Sequence, residues 1–336
     1  MTFKKSDIPG CAGEVLTFVL AGGEGTRLRP LTHSQAKPAL PFGSGLRLVD
    51  FVLSNLVNSE LDSIYLLAQY KPESLIEHIR SNWQPARQDV DRFVRVVLPQ
   101  REHGGKFLGT ADAVYQNLAL IERHAPRMVA VFAADHIYRM DVRQMVQFHR
   151  ENDADVTIAA TQVPIELATS FGIIAAGHQG EIWDFQEKPD MPAAIPSNPG
   201  FAYASMGNYL FDTGVLVTAL EQAARCGETD FGRHVLPRLI RSHRAHAYDF
   251  SDNCIPGVQP HEEPAYWRDV GTLDAYMDAH LDVAGNAPRF NLHNPHWPIR
   301  SARPARSPAT GQSHPHLARK LRGSSRSINA NGALSA

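Results

Sequence analysis

Cysteine is scarce: Cys11, Cys226 and Cys254 are all that 336 residues contain. An odd number without metal-ligand spacing argues against a disulfide framework and a zinc site, and for a reducing compartment. Long apolar runs are missing too. The first, over 15–20, follows a polar start and is too short for a membrane span or a signal peptide. Net charge is only −2, so bulk electrostatics gives no reason to expect a nucleic-acid partner. That average hides an asymmetry, because residues 301–336 carry six Lys and Arg and no acid, leaving −8 on the first 300. No internal repeat recurs. The expectation is a soluble cytoplasmic protein with neither nucleic acid nor membrane as partner.

What is present is concentrated between Val15 and Pro41. The apolar run 15–20 has strand length and opens into Ala21-Gly22-Gly23-Glu24-Gly25-Thr26-Arg27-Leu28-Arg29-Pro30. Glycines let backbone amides approach a phosphate closely and form a concave nest for an anion. Arg27 adds a fixed fork of donors, and Lys37 a mobile positive charge. The loop reads as a seat for a triphosphate, although a tight turn without a ligand would use the same glycines. It is not a Walker A loop, and Leu28 stands where a dinucleotide fingerprint needs its last glycine.

Periodicity predicts helices over 48–56, 72–83 and 110–121, the last with Thr110 as N-cap, and strands over 63–68, 93–98 and 128–133. Strands alternating with helices give an α/β fold, a doubly wound, mostly parallel sheet, with ligands beyond the strands' carboxyl ends. Short extended runs over 156–160, 171–176, 182–186 and 203–211 predict a mixed sheet extension covering a second substrate. Helices are expected over 212–224, 231–241 and 272–283, a strand over 245–250, and a surface loop over the proline-rich 189–199.

Asp135 follows the strand at 128–133, with His136 beside it. A carboxylate there often just caps a turn. Beside a triphosphate, Mg²⁺ would take one or two carboxylates plus phosphate oxygens and water. Asp269, in Tyr266-Trp267-Arg268-Asp269-Val270-Gly271-Thr272, is the second candidate, unless it is a solvated acid preceding a helix. Lys188 precedes Pro189, which is expected to force it into extended geometry and aim it at a sugar phosphate; a surface pair with Glu187 is the plainer alternative. Gly172 after Phe171, and Ser205 in Ala204-Ser205-Met206-Gly207, suit close approach by a sugar.

In order along residues 15–300, the glycine-loop string, Lys37-Pro38, Arg47 to Asn55, Gln69-Tyr70, Gly109 to Val114, Ala134 to Tyr138, Glu187-Lys188-Pro189, Ala204 to Gly207, Tyr266 to Thr272 and Trp297 to Arg300 resemble the glucose-1-phosphate adenylyltransferases of bacterial type. These belong to the sugar-1-phosphate nucleotidylyltransferases. The resemblance implies a Rossmann-like nucleotidyltransferase fold, ATP and α-D-glucose 1-phosphate as substrates, Mg²⁺ as cofactor and a product used in glycogen synthesis. It implies that Gly22, Gly23, Gly25, Thr26 and Arg27 hold ATP phosphates with Lys37 nearby, and that Gln69, Gly109 and Thr110 lie near the adenine. By the same likeness Asp135 and Asp269 bind the metal, and Phe107, Gly172, Glu187, Lys188 and Ser205 form the sugar-phosphate pocket. Arg27, Lys37, Asp135, Lys188 and Asp269 are then the catalytic set. Another nucleoside triphosphate, or a non-catalytic regulatory or inactive remnant, are the alternatives.

The chain departs from that pattern in places. Phe107 replaces a tyrosine, with weaker sugar-phosphate binding expected, and Ser34 and Pro41 replace a lysine and a histidine of the regulatory region. The family's left-handed β-helix, which supports a homotetramer, has no counterpart after Arg300. A catalytic domain over 1–300 and a disordered basic tail over 301–336, from truncation or a frameshift, are expected.

Overall fold

The computed structural model describes residues 13–43, 45–83, 92–100, 104–177 and 179–301, with the backbone of 327–328 and 334–335. The first half of the chain runs β1 (Val15–Ala21), β2 (Pro41–Phe42), β3 (Leu46–Arg47), α1 (Val49–Asn58), β4 (Ser63–Ala68), α2 (Glu73–Asn82), β5 (Phe93–Val97), α3 (Thr110–Tyr115), α4 (Leu118–His124), β6 (Met128–Ala133), β7 (His136–Tyr138) and α5 (Val142–Glu151). The second half runs β8 (Val156–Pro164), β9 (Gly172–Ala176), β10 (Ile182–Glu187), β11 (Phe201–Asp212), α6 (Thr213–Arg225), α7 (Leu236–Ile240), β12 (Ala245–Asp249), β13 (Trp267–Asp269) and α8 (Leu273–Asp282). Beyond these, β14 (Ser327–Ile328) pairs with β15 (Leu334–Ser335). The expected basic tail otherwise falls, after Ser301, outside the described residues.

β1 is apolar on both faces, and each face has its own core. Val15, Val19 and Ala21 pack with Val52 and Leu56 of α1, Ile79 of α2 and Val146 of α5. Leu16 and Phe18 pack with Val114 of α3, Ile121 of α4 and Leu220 of α6. Alternation along one strand thus produces a three-layer doubly wound domain. β4 and β6 flank β1 in parallel, and β5 extends the sheet beyond β4. On the other side β11 joins β6 antiparallel and also pairs with β8 and β9, while β12 lies parallel to β8 and β10 forms a hairpin with β9. The mostly parallel sheet with a mixed extension is therefore present. No helix among the described residues is long and apolar enough to cross a membrane.

A third core, holding Leu28, Leu40, Phe42, Phe51, Val270 and Tyr276, ties the glycine loop to α8. Trp297, almost wholly buried, donates its indole N–H to Asn55 of α1 at 3.2 Å, and the Arg300 amide donates to Ser54 Oγ at 2.9 Å. Residues 297–300 thereby fasten onto α1.

Three local expectations are corrected. The helix over 110–121 is two short helices, broken where the Asn117 side-chain NH2 donates to the Ala113 carbonyl and the Gln116 side chain donates to the Lys106 carbonyl and Asp112. Side chains that compete for backbone partners end a helix in this way. Thr110 is not the N-cap: Gly109 holds that place, and the Ala111 and Asp112 amides donate to the Thr229 carbonyl. Over 231–241, a π turn at Phe231–Val235 precedes α7, with Asp230 capping the turn by accepting from the Arg233 amide.

Candidate active site

Pairing register brings the key strand ends level. Leu20 of β1 lies beside Leu67 of β4 and Ala133 of β6, so the chain leaves toward Gly22, Gln69 and Asp135 on a single rim. A cleft of about 430 Å³ opens there, within the range of roughly 300–1,000 Å³ usual for small-molecule sites. Gly22, Gly23, Gln69, Phe107, Gly109, Thr110 and Asp135 line it, so residues expected at the nucleotide, the metal and the sugar phosphate share one cleft. Gly25 stands behind the loop rather than in the cleft. Its φ is +65°, and a Cβ would come within 3.0 Å of Thr32 and 3.2 Å of Lys37, so both conformation and space require glycine. The Thr32 hydroxyl donates to its carbonyl at 2.8 Å, fixing the loop's base.

β6 does not end the path of Asp135. After it the chain turns into β7, which pairs antiparallel with β13 so that His136 faces Asp269. This short ribbon brings together two acids more than a hundred residues apart in sequence. The Lys37 ammonium lies 2.8 Å from an Asp135 oxygen and 3.4 Å from an Asp269 oxygen. Its side chain is 9% exposed, whereas those of Asp135 and Asp269 are 32% and 26% exposed, so the acids face the rim and the cation stands behind. Burial opposes the charge on Lys37, but Asp135 and then Asp269 outweigh it and raise its pKa above the usual lysine value. Burial likewise opposes ionisation of Asp135, yet Lys37 and His136 hold its pKa down at about 2. Arg27 joins them across Gly271, where a Cβ would stand 3.1 Å from both an Arg27 nitrogen and an Asp269 oxygen. Donor atoms of Asp135, His136 and Asp269 lie within 4.8 Å of one another, an arrangement with room for one metal ion.

The residues expected around the sugar form a second group beside the cleft. A Glu187 carboxylate oxygen would be 3.1 Å from a Cβ on Gly172, and the Lys188 ammonium lies 3.5 Å from Glu187. Lys188 is not extended, contrary to the expectation from Pro189. Its φ is +51°, and its amide donates to the Phe171 carbonyl at 3.0 Å, so the tie to the residue just before β9 prevails over the proline's preference. Ser205 Oγ accepts from the Gly207 amide at 3.2 Å within the bulge that interrupts the pairing of β11 with β8. Gly25, Thr26, Arg27, Lys37, Gly172, Glu187, Lys188, Ser205 and Asp269 are not on the cleft wall itself. Phe107 is, on the side of Gln69, whose side-chain oxygen accepts from the Phe107 amide.

Comparison with known proteins gives the family. A family model described as nucleotidyl transferase matches residues 16–286. The chain belongs to the nucleotidyl transferase family. It is 54% identical over 292 residues to a glucose-1-phosphate adenylyltransferase of Thermodesulfovibrio yellowstonii, covering 86% of this chain and 71% of that one. It is 50% identical over 298 residues to the enzyme of that name from Thermus thermophilus, with the same coverages. Glucose-1-phosphate adenylyltransferase 1 of Vibrio cholerae is 43% identical over 299 residues, 88% of this chain and 73% of its own.

In this nucleotidyl transferase, sequence reasoning missed Tyr209 and Asp230, which complete the cleft with Gly207. Tyr209 lay inside an apolar strand and read as core; only the glycine two positions earlier marked the bulge. Burial raises the Tyr209 pKa well above the ordinary tyrosine value, which keeps its hydroxyl protonated. Asp230 carried no spacing signal at all.

Proposed function

We propose that the protein is a glucose-1-phosphate adenylyltransferase, joining ATP and α-D-glucose 1-phosphate to give ADP-glucose and diphosphate for glycogen synthesis in the cytoplasm. A phosphate oxygen of the sugar phosphate attacks the α-phosphorus, the bond to the bridging oxygen of the β-phosphate breaks, and diphosphate leaves with that electron pair. The nucleophile is already an anion near neutral pH, so the protein's work is alignment and charge neutralisation. The bare backbone at Gly22 and Gly23 seats the triphosphate, and Arg27 and Lys37 supply fixed positive charge. Lys188 and Glu187 orient the sugar phosphate. Mg²⁺, when bound, would neutralise phosphate charge as a Lewis acid, held by Asp135 and Asp269. What supports it is the donor set: carboxylate oxygens suit a hard cation.

The single observation that carries this reading is the convergence of Lys37, Asp135 and Asp269 at the mouth of the glycine-loop cleft. Diphosphate release should be measured with glucose 1-phosphate and each of ATP, UTP, dTTP and GTP. ATP is expected to give the highest kcat/KM by tenfold or more, about 1.4 kcal/mol of discrimination. A preference for another nucleotide would refute the assignment.

A further inference from the structure

Two of the segments that line the cleft, one carrying Gly109 and Thr110, the other Asp230, are locked together. The Ala111 and Asp112 amides both donate to the Thr229 carbonyl, at 2.8 and 3.1 Å. The Thr110 hydroxyl donates to Asp230 Oδ2 at 3.1 Å and accepts from the Phe231 amide at 3.0 Å. Contact is so close that a Cβ on Gly109 would overlap the Thr229 carbonyl. On its far side, Asp230 Oδ1 caps the π turn, and Gly232 in that turn lies where a Cβ would be 2.7 Å from Glu187. π turns inside helical segments recur at functional sites. A continuous chain of contacts therefore runs from Thr110, on the nucleotide side, through Asp230 and the π turn to Glu187 and Lys188, on the sugar-phosphate side.

We propose that the Thr110–Asp230 latch couples the two halves of the site, so that seating a nucleoside triphosphate against Thr110 pre-organises the hexose-phosphate pocket, and the reverse. This inference rests on the proposed function, which assigns one substrate to each half. Thr110 acts here as a positioning residue. Its hydroxyl is both donor and acceptor at the junction, so any shift of α3 is passed to Asp230 and to the turn Asp230 caps. Reciprocity follows: whatever factor the nucleotide gains for the sugar phosphate, the sugar phosphate gains for the nucleotide.

The test is a binding measurement on the full chain. The dissociation constant of glucose 1-phosphate is measured by calorimetry with Mg²⁺, alone and with saturating α,β-methylene-ATP, which supports no transfer. The wild type should bind the sugar phosphate at least about fivefold tighter with the analogue present, the low end of usual couplings. In Thr110→Val that ratio should fall to within about twofold of one, while Thr110→Ser, which keeps the hydroxyl, should retain it. A merely structural role would lower both affinities and leave the ratio alone. Should Thr110→Val not fold, Thr110→Ala poses the same question. Undiminished coupling in the variant, or wild type that binds both ligands independently, overturns the latch and leaves the function standing. Wild type that binds no glucose 1-phosphate even with the analogue present overturns the function, and the latch with it.

Discussion

Lys37 stands where two carboxylates would otherwise repel each other, and their joint charge decides what the rim can do. With Asp135 ionised down to about pH 2, this acid stays charged across any working pH. Any acid limb in kcat/KM should therefore follow the second ionisation of the sugar phosphate, expected near about pH 6 by analogy with other phosphate monoesters, and not Asp135. Asp135→Asn removes one carboxylate from the Lys37 cation and one ligand from the metal position. Turnover should fall by about a hundredfold or more, the scale of losing one pre-organised electrostatic partner, with the fold intact by circular dichroism. Unchanged turnover would dismiss the metal role. At this scale much was legible. Gly22, Gly23, Arg27 and Lys37 stood out in and just after the glycine loop, Asp135 as a strand-end acid that a triphosphate seat would make a metal ligand, and Asp269 chiefly through the resemblance. The conformation of Lys188 was hidden, because the hydrogen bond that sets it comes from Phe171, seventeen positions upstream.

Elements were legible wherever one periodicity ran unopposed. β1, β4 and β6 read correctly because a strand buried on both faces is simply apolar, and α1 because its apolar stripe repeats at helical spacing. The break between α3 and α4 and the π turn before α7 were not, since each is set by individual side-chain hydrogen bonds, Asn117 to the Ala113 carbonyl and the Arg233 amide to Asp230, that leave no mark on the apolar period. Nor does periodicity place 297–300 on α1. There Trp297 fills a site among α1 and α5, with Arg143 6.0 Å from its ring and its N–H on Asn55, which also accepts from the Met140 amide at 3.1 Å. Trp297→Ala should cost about 3–5 kcal/mol by leaving a cavity under α1. Chemical denaturation should show a lower midpoint with an unchanged slope, while diphosphate release per folded molecule stays near the wild-type rate. A loss below about 1 kcal/mol would mean that the strap contributes little.

At the scale of the whole molecule, the ribbon that brings Asp269 to the rim has to be held against the C-terminal part of the fold, and charge does this. Arg268 of β13 donates to Glu263 at 2.7 Å and to Asp282 of α8 at 3.1 Å, and Arg289 reaches Glu263 at 2.6 Å and Asp282 at 3.4 Å. Four alternating charges thus tie three stretches of chain. Burial opposes ionisation of Glu263, but Arg268 and then Arg289 outweigh it and lower its pKa below the ordinary value of 4.5. A carboxyl whose folded pKa is depressed contributes stability that is complete above the unfolded pKa and fades as pH falls toward the folded one. Glu263 is partly exposed, so solvent screening limits its share to the order of 1 kcal/mol. Glu263→Gln should therefore unfold at lower urea concentration than wild type at pH 7, and the gap between the two should close progressively as pH falls below about 4.5. A gap that stays constant with pH would show that the residue acts by packing and hydrogen bonding, and that charge does not hold the ribbon.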